Sequence, residues 1–155
     1  MSKELFTELS TMANKKKLFF GAGAAIIMLM TAFRAEPVQQ PVAVKASAER
    51  GKQVYVKRCM ACHQADGGGV PHLNAPLDGA SAVTGKDKAK LIKIVLNGMT
   101  DRVEIDGEFY SNNMPGNKDL TDAEIADVLT YVRTGWSNKS SAVTVAEVKA
   151  VRTKK

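Results

Sequence analysis

The sequence predicts an all-α domain of modest size, exported behind an N-terminal membrane helix. Three observations predict it. An uncharged apolar run stands near the N-terminus, apolar stripes of helical period recur from residue 49 onward, and two capping boxes mark helix starts in the C-terminal third. At 155 residues the chain has room for one core with appendages, not for two.

Lys15, Lys16 and Lys17 close a short leading segment, residues 1–17, and precede the sixteen-residue run Leu18 to Phe33. That run falls slightly below a usual membrane-spanning length and slightly above a usual signal-peptide core. The lysines hold the leading end in the cytoplasm, so the remainder is exported. A small-x-small cleavage site is poorly formed just beyond the run, at Ala32-Phe33-Arg34-Ala35. Ala46-Ser47-Ala48 has the right form but lies too far downstream. The reading favours an uncleaved anchor over 18–33. Residues 34–48, with Pro37 and Pro41 and few charges, read as a semi-extended linker.

From Glu49 the pattern turns helical, with Val54, Tyr55 and Arg58 on a helix that runs into Cys59. Gly67-Gly68-Gly69, Pro71 and Pro76 mark a loop. Lys86 to Leu96 predicts the next helix, with Leu91, Ile92, Val95 and Leu96 on one face, lysines opposite and Asn97-Gly98 as the stop. Arg102 to Tyr110 alternates weakly around Asp106-Gly107, as a small hairpin or an extended loop. Thr121 with Glu124 starts the clearest helix, whose buried stripe is Ile125, Val128, Leu129 and Val132, ending near Gly135. Thr144 with Glu147 starts a short tail helix through Val151. The divisions are therefore a main domain over 49–136 and a tail over 137–155.

The net charge of +6 is modest, and no concentrated basic face with stacking aromatics is present, which argues against nucleic acid as a partner. From Glu49 onward 16 basic and 13 acidic side chains leave only +3. The lysines of 86–93 can steer an acidic partner or simply form a solvated helix face.

The chemistry concentrates in Cys59-Met60-Ala61-Cys62-His63. Each thiol can form a thioether to a vinyl group of one haem, two intervening residues match the vinyl separation, and the adjacent histidine becomes the proximal iron ligand. A redox dithiol of the thioredoxin type wants a strand before the motif, whereas here a helix leads in. A closed zinc site lacks a fourth strong ligand, since only His72 is spare. An electron carrier needs a second axial donor, and a soft thioether stabilises ferrous iron. Met60 is too close to the motif to reach the opposite haem face. Met99 is possible. Met114 is better placed, in Asn112-Asn113-Met114-Pro115 on a loop just before the main helix, where proline restricts the backbone.

From Gly51 to about Trp136 the chain resembles the class I cytochrome c family. The matching pieces are Gly51-Lys-Gln-Val-Tyr55 before Cys-Met-Ala-Cys-His, Ala75-Pro76-Leu77-Asp-Gly79, Asn113-Met114-Pro115, Leu120-Thr-Asp-Ala-Glu-Ile125, and Val128-Leu-Thr-Tyr131-Val-Arg133. The resemblance implies helices packed around one covalent haem c, bonded to Cys59 and Cys62, with iron held by His63 and Met114. It further implies that Gly51 and Tyr55 meet Val128 and Tyr131 where two helices cross. The carbonyl of Ala75, or of its neighbour, should accept the proton of His63; the usual proline is displaced to Pro76. Leu77, Leu91, Val95, Phe109 and Val128 should wall the haem.

Val103 to Tyr110, Tyr131 to Trp136 and Val143 to Arg152 look like a bacterial subset whose members serve beside quinoprotein dehydrogenases or in respiratory oxidase systems. The expected function is one-electron transfer on the periplasmic side of a bacterial inner membrane, with redox proteins as donor and acceptor and no catalysis by the chain itself. The competing classes are a haem peroxidase or ligand sensor that loses Met114 from the iron, and a non-haem exported CxxC module.

Overall fold

The computed structural model describes residues 40–154. The expected leading segment 1–17, the expected anchor 18–33 and the expected linker residues 34–39 lie outside the described residues.

The first described helix, α1, spans Gln40–Arg58. The stretch 40–48, expected as semi-extended linker, is therefore helical. Pro41 falls in the first turn, where a missing N–H costs no hydrogen bond, and Ala43, Ala46 and Ala48 favour helix. What docks these turns is polar and remote in sequence. Ser47 Oγ donates to Asp127 Oδ1 at 2.5 Å, while Arg50 Nε and Nη2 reach Asp127 Oδ2 and Oδ1 at 2.6 and 2.8 Å.

Three short or medium helices follow: α2 over Met60–His63, α3 over Ser81–Thr84 and α4 over Lys88–Asn97. Asp87 caps α4 by accepting from the Lys90 N–H at 2.9 Å. Gly98, at φ 77°, ends it as the Asn97-Gly98 pair predicted. Two further helices are α5, Asp122–Thr134, and α6, Val145–Arg152. Both carry the predicted capping boxes, on Thr121 with Glu124 and on Thr144 with Glu147.

Four very short strands accompany the helices: β1 Gly98–Met99, β2 Val103–Ile105, β3 Glu108–Tyr110 and β4 Met114–Pro115. β2 and β3 form a hairpin around Asp106-Gly107, which resolves the alternative left by the sequence. β1 and β4 pair antiparallel across the intervening residues.

The core lies where α1 crosses α5. A Cβ at Gly51 would overlap the Asp127 carbonyl and stand 2.9 Å from Tyr131 Cβ, so only glycine permits this approach. Tyr55, Tyr131 and Trp136 form a mutual aromatic trio, with all three centroid separations at 5.3 Å. The tail does not stand apart from this core. Val143 and Val148 are buried with Ile92 and Ile125, and α6 packs on both α4 and α5.

Candidate functional site

The end of α1 and the start of α2 place the cysteine–histidine motif. The Cys59 N–H donates to the Tyr55 carbonyl at 2.8 Å and the His63 N–H to the Cys59 carbonyl at 2.9 Å, so the motif continues one helical turn. Gln64 then adopts φ 63°, turning the chain away. The Tyr55 hydroxyl donates to the Gln64 carbonyl at 2.6 Å, and Trp136 Nε1 donates to the Ala65 carbonyl at 3.1 Å. Gly67, at φ 72°, lies under the Trp136 ring, where a Cβ would come within 3.0 Å. The aromatic trio thus clamps the residues that follow His63.

His63 Nδ1 lies 2.9 Å from the Ala75 carbonyl. A carbonyl only accepts, so Nδ1 carries the proton and Nε2 keeps its lone pair. Ala75 itself, rather than its neighbour, supplies this acceptor. Burial lowers the His63 pKa, with the Ala75 bond opposing that shift. Burial also pushes the Cys59 thiol up to about 11, with Arg58 opposing and Cys62 reinforcing.

One apolar cavity takes in all the predicted site residues. Cys59, Cys62, His63 and Met114 line it, as do Leu77, Leu91, Val95 and Val128. Phe109 does not. It is exposed, with the Arg102 guanidinium 4.2 Å above its ring, because alternation along β3 turns Tyr110 to the cavity and Phe109 outward. Met60 packs against the core instead of lining the cavity. His72 is not on the cavity wall; its ring is exposed, 3.5 Å from Glu108. Among the described residues no group of three His, Cys, Asp or Glu side chains is gathered to hold a metal ion, so the zinc reading finds no donor set.

The loop carrying Ala75 and the loop carrying Met114 are joined directly. The Ser111 and Asn112 N–H groups donate to the His72 and Leu73 carbonyls at 3.2 and 3.0 Å, and Asn112 Nδ2 donates to Asn74 Oδ1 at 2.8 Å. Sequence reasoning missed this seam, and it missed the roles of the Tyr55 hydroxyl and of Trp136. The chain's single tryptophan, directly after a glycine, was the one signal that pointed to the latter.

The donor set fits a haem c. It holds two thiols three residues apart, an imidazole with a free Nε2, thioether sulfurs and apolar walls. The comparisons with known proteins agree. The family described as Cytochrome c matches residues 48–136. The chain is 34% identical over 113 residues to cytochrome c-552 of Thermus thermophilus, covering 68% of this chain and 86% of that protein. It is 35% identical over 111 residues to the cytochrome c subunit of a quinone-dependent alcohol dehydrogenase of Gluconacetobacter polyoxogenes, covering 66% of this chain. It is 36% identical over 111 residues to the cytochrome c subunit of a gluconate 2-dehydrogenase of Pantoea cypripedii, covering 68% of this chain. The match spans only 22% and 24% of the length of those two dehydrogenase subunits.

The chain belongs to the cytochrome c family. It is a class I domain related to respiratory and dehydrogenase cytochrome c subunits, and membership of that family implies electron transfer through a haem cofactor.

Proposed function

We propose that this protein passes single electrons through one haem c, joined by thioether bonds to Cys59 and Cys62 and ligated at iron by His63 and Met114. The observation that carries this reading is the meeting of those four side chains on one apolar cavity, with His63 Nδ1 held on the Ala75 carbonyl. When bound, the haem supplies a reversible ferric–ferrous couple. The chain's own residues set the conditions for it. Ala75 fixes the His63 ring and makes Nε2 a better donor. Met114 offers a soft sulfur that favours the ferrous state. The walls of Leu77, Leu91, Val95 and Val128 keep out water and disfavour added positive charge, which raises the potential.

The apolar run 18–33 behind Lys15, Lys16 and Lys17 supports a single-pass anchor in a bacterial inner membrane, with the haem domain on the periplasmic side. The names of the dehydrogenase subunits support a dehydrogenase as redox partner, and the sequence resemblance implies a quinoprotein dehydrogenase or a respiratory terminal oxidase in that place. Lys90 and Lys93, exposed on α4, supply mild steering toward an acidic face.

The full chain, exported by cells that mature c-type cytochromes, should weigh one haem more than its amino acids and keep that haem in acid acetone. A mass equal to the polypeptide alone defeats the proposal. Met114→Ala should leave the haem attached while opening ferrous iron to carbon monoxide. Ligand access unchanged from the parent protein would remove Met114 from the assignment.

A further inference from the structure

Met99 was the lesser candidate for the distal ligand, yet the strands place it directly opposite Met114. In the β1–β4 ladder the register pairs Met99 with Met114 and Gly98 with Pro115. Residues directly opposite on an antiparallel pair project from the same face, with Cβ atoms about 5 Å apart. Accordingly both methionines line the same cavity as His63. A methionine has three rotatable bonds beyond its Cα, so either sulfur can span such a separation.

The ladder that carries the pair is held closely. A Cβ at Gly98 would overlap the Met114 carbonyl and stand 2.6 Å from the Gly116 nitrogen. One at Gly116 would stand 2.7 Å from the Leu96 carbonyl oxygen. The Asn117 N–H donates to the Val95 carbonyl at 2.9 Å, tying the end of this loop back to α4. Met99 is therefore not on a free segment; the ladder fixes its place beside the cavity. Among the described residues no lysine lines the cavity, and the other polar side chains on its wall are the always-protonated Arg58 guanidinium, the amides of Asn residues and the Tyr110 phenol, all poorer donors to iron than a thioether.

We propose that Met99 is a reserve thioether ligand for the haem iron, which it captures whenever Met114 is off the metal. The proposal rests on Met114 being the resident ligand. Its effect is to keep the iron six-coordinate and sulfur-bound through excursions of Met114 that would otherwise leave a site open to small molecules. Because Met99 reaches across from the neighbouring strand, it yields to a strong external ligand such as carbon monoxide more readily than Met114 does.

The test uses the full-length holoprotein with Met99→Leu, Met114→Leu and the double variant, without added ligand. The readouts are the far-red sulfur-to-iron absorption of the ferric form and, in the ferrous form, the upfield-displaced methyl resonance of a carbon-13-labelled methionine. Expected is retention of both signals in each single variant and their loss only in the double variant. Loss in Met114→Leu equal to that in the double variant overturns the proposal while leaving Met114 as the ligand. Loss in Met99→Leu alone, or retention in all three, overturns the Met114 assignment as well. Should Met114→Leu fail to mature, the rate of imidazole binding to ferric Met99→Leu decides. A severalfold increase over the parent supports capture by Met99, and an unchanged rate overturns it.

Discussion

The direction of the His63 ring is determined by residues that do not touch haem chemistry themselves. Tyr55 acts from α1 through its hydroxyl on the Gln64 carbonyl, immediately after the histidine. Tyr55→Phe should cost about 0.5–1.5 kcal/mol by removing the shorter of the two hydrogen bonds to that carbonyl, which keeps the Gly67 N–H at 3.3 Å, read as a lowered melting temperature of the holoprotein. Gly69 acts from the other side. At φ 68° it presses against the Ala75 carbonyl, the acceptor of His63, with a built Cβ only 2.7 Å from that oxygen. Gly69→Ala should displace the acceptor, so its reduction potential should move as well as its stability; an unmoved potential would mean the Ala75 bond does not tune the ring. At this scale the thiols and the histidine were legible from spacing alone. The identity of the acceptor was not, because it depends on how a glycine-rich loop folds back.

Among the elements, α1 departs most from expectation and α6 least. The early turns of α1 lack a strong apolar stripe, so nothing in 40–48 distinguishes helix from linker until Asp127 of α5 receives Ser47 and Arg50. Asp127→Ala should cost about 1–3 kcal/mol and free the first turns of α1, seen as faster amide exchange over 42–50 with the rest of α1 protected. The capping box of α6 was readable from Thr144 and Glu147, and the structure adds a partner from α4, since Lys88 Nζ lies 3.0 Å from Glu147. Burial pushes the Glu147 carboxyl up, but the Thr144 N–H, the Lys88 ammonium and the Thr144 hydroxyl together hold it below its ordinary 4.5. A depressed carboxyl contributes its full stabilisation above pH 4.5 and loses it as pH falls through the lowered folded value. Glu147→Gln should therefore cost about 0.5–1 kcal/mol at neutral pH. The gap between the two melting curves should close on acidification below pH 4.5; a gap that persists there would assign the effect to packing.

Across the whole molecule, the residues after Trp136 are bound into the main domain by buried polar contacts. Asn138 donates to the Leu77 and Val132 carbonyls at 2.9 and 2.8 Å and accepts from the Gly79 N–H at 2.9 Å. Arg133, 2% exposed, spends its guanidinium on carbonyls: Val83, Gly85 at 3.0 Å and Ser141 at 2.8 Å. One cation thus joins α5, the end of α3 and the tail. Arg133→Met should strand those carbonyls and cost about 3 kcal/mol or more, a fall of roughly 10 °C or more in melting temperature. The haem spectrum of the folded variant should stay as in the parent, since Arg133 does not line the cavity; a changed spectrum would mean that the cross-link shapes the site itself.

The sequence by itself determined the helical class, the capped starts of α5 and α6, and the spacing of the Cys59-Met60-Ala61-Cys62-His63 motif, because caps, stripes and motif spacing are local. Only the tertiary structure decided that Ala75 receives the histidine proton, that 40–48 is helix, that the tail completes the core, and that Met99 faces the cavity beside Met114. Each of those depends on a contact between residues more than ten positions apart. Such contacts form only when the chain closes its loops and buries the groups that make them.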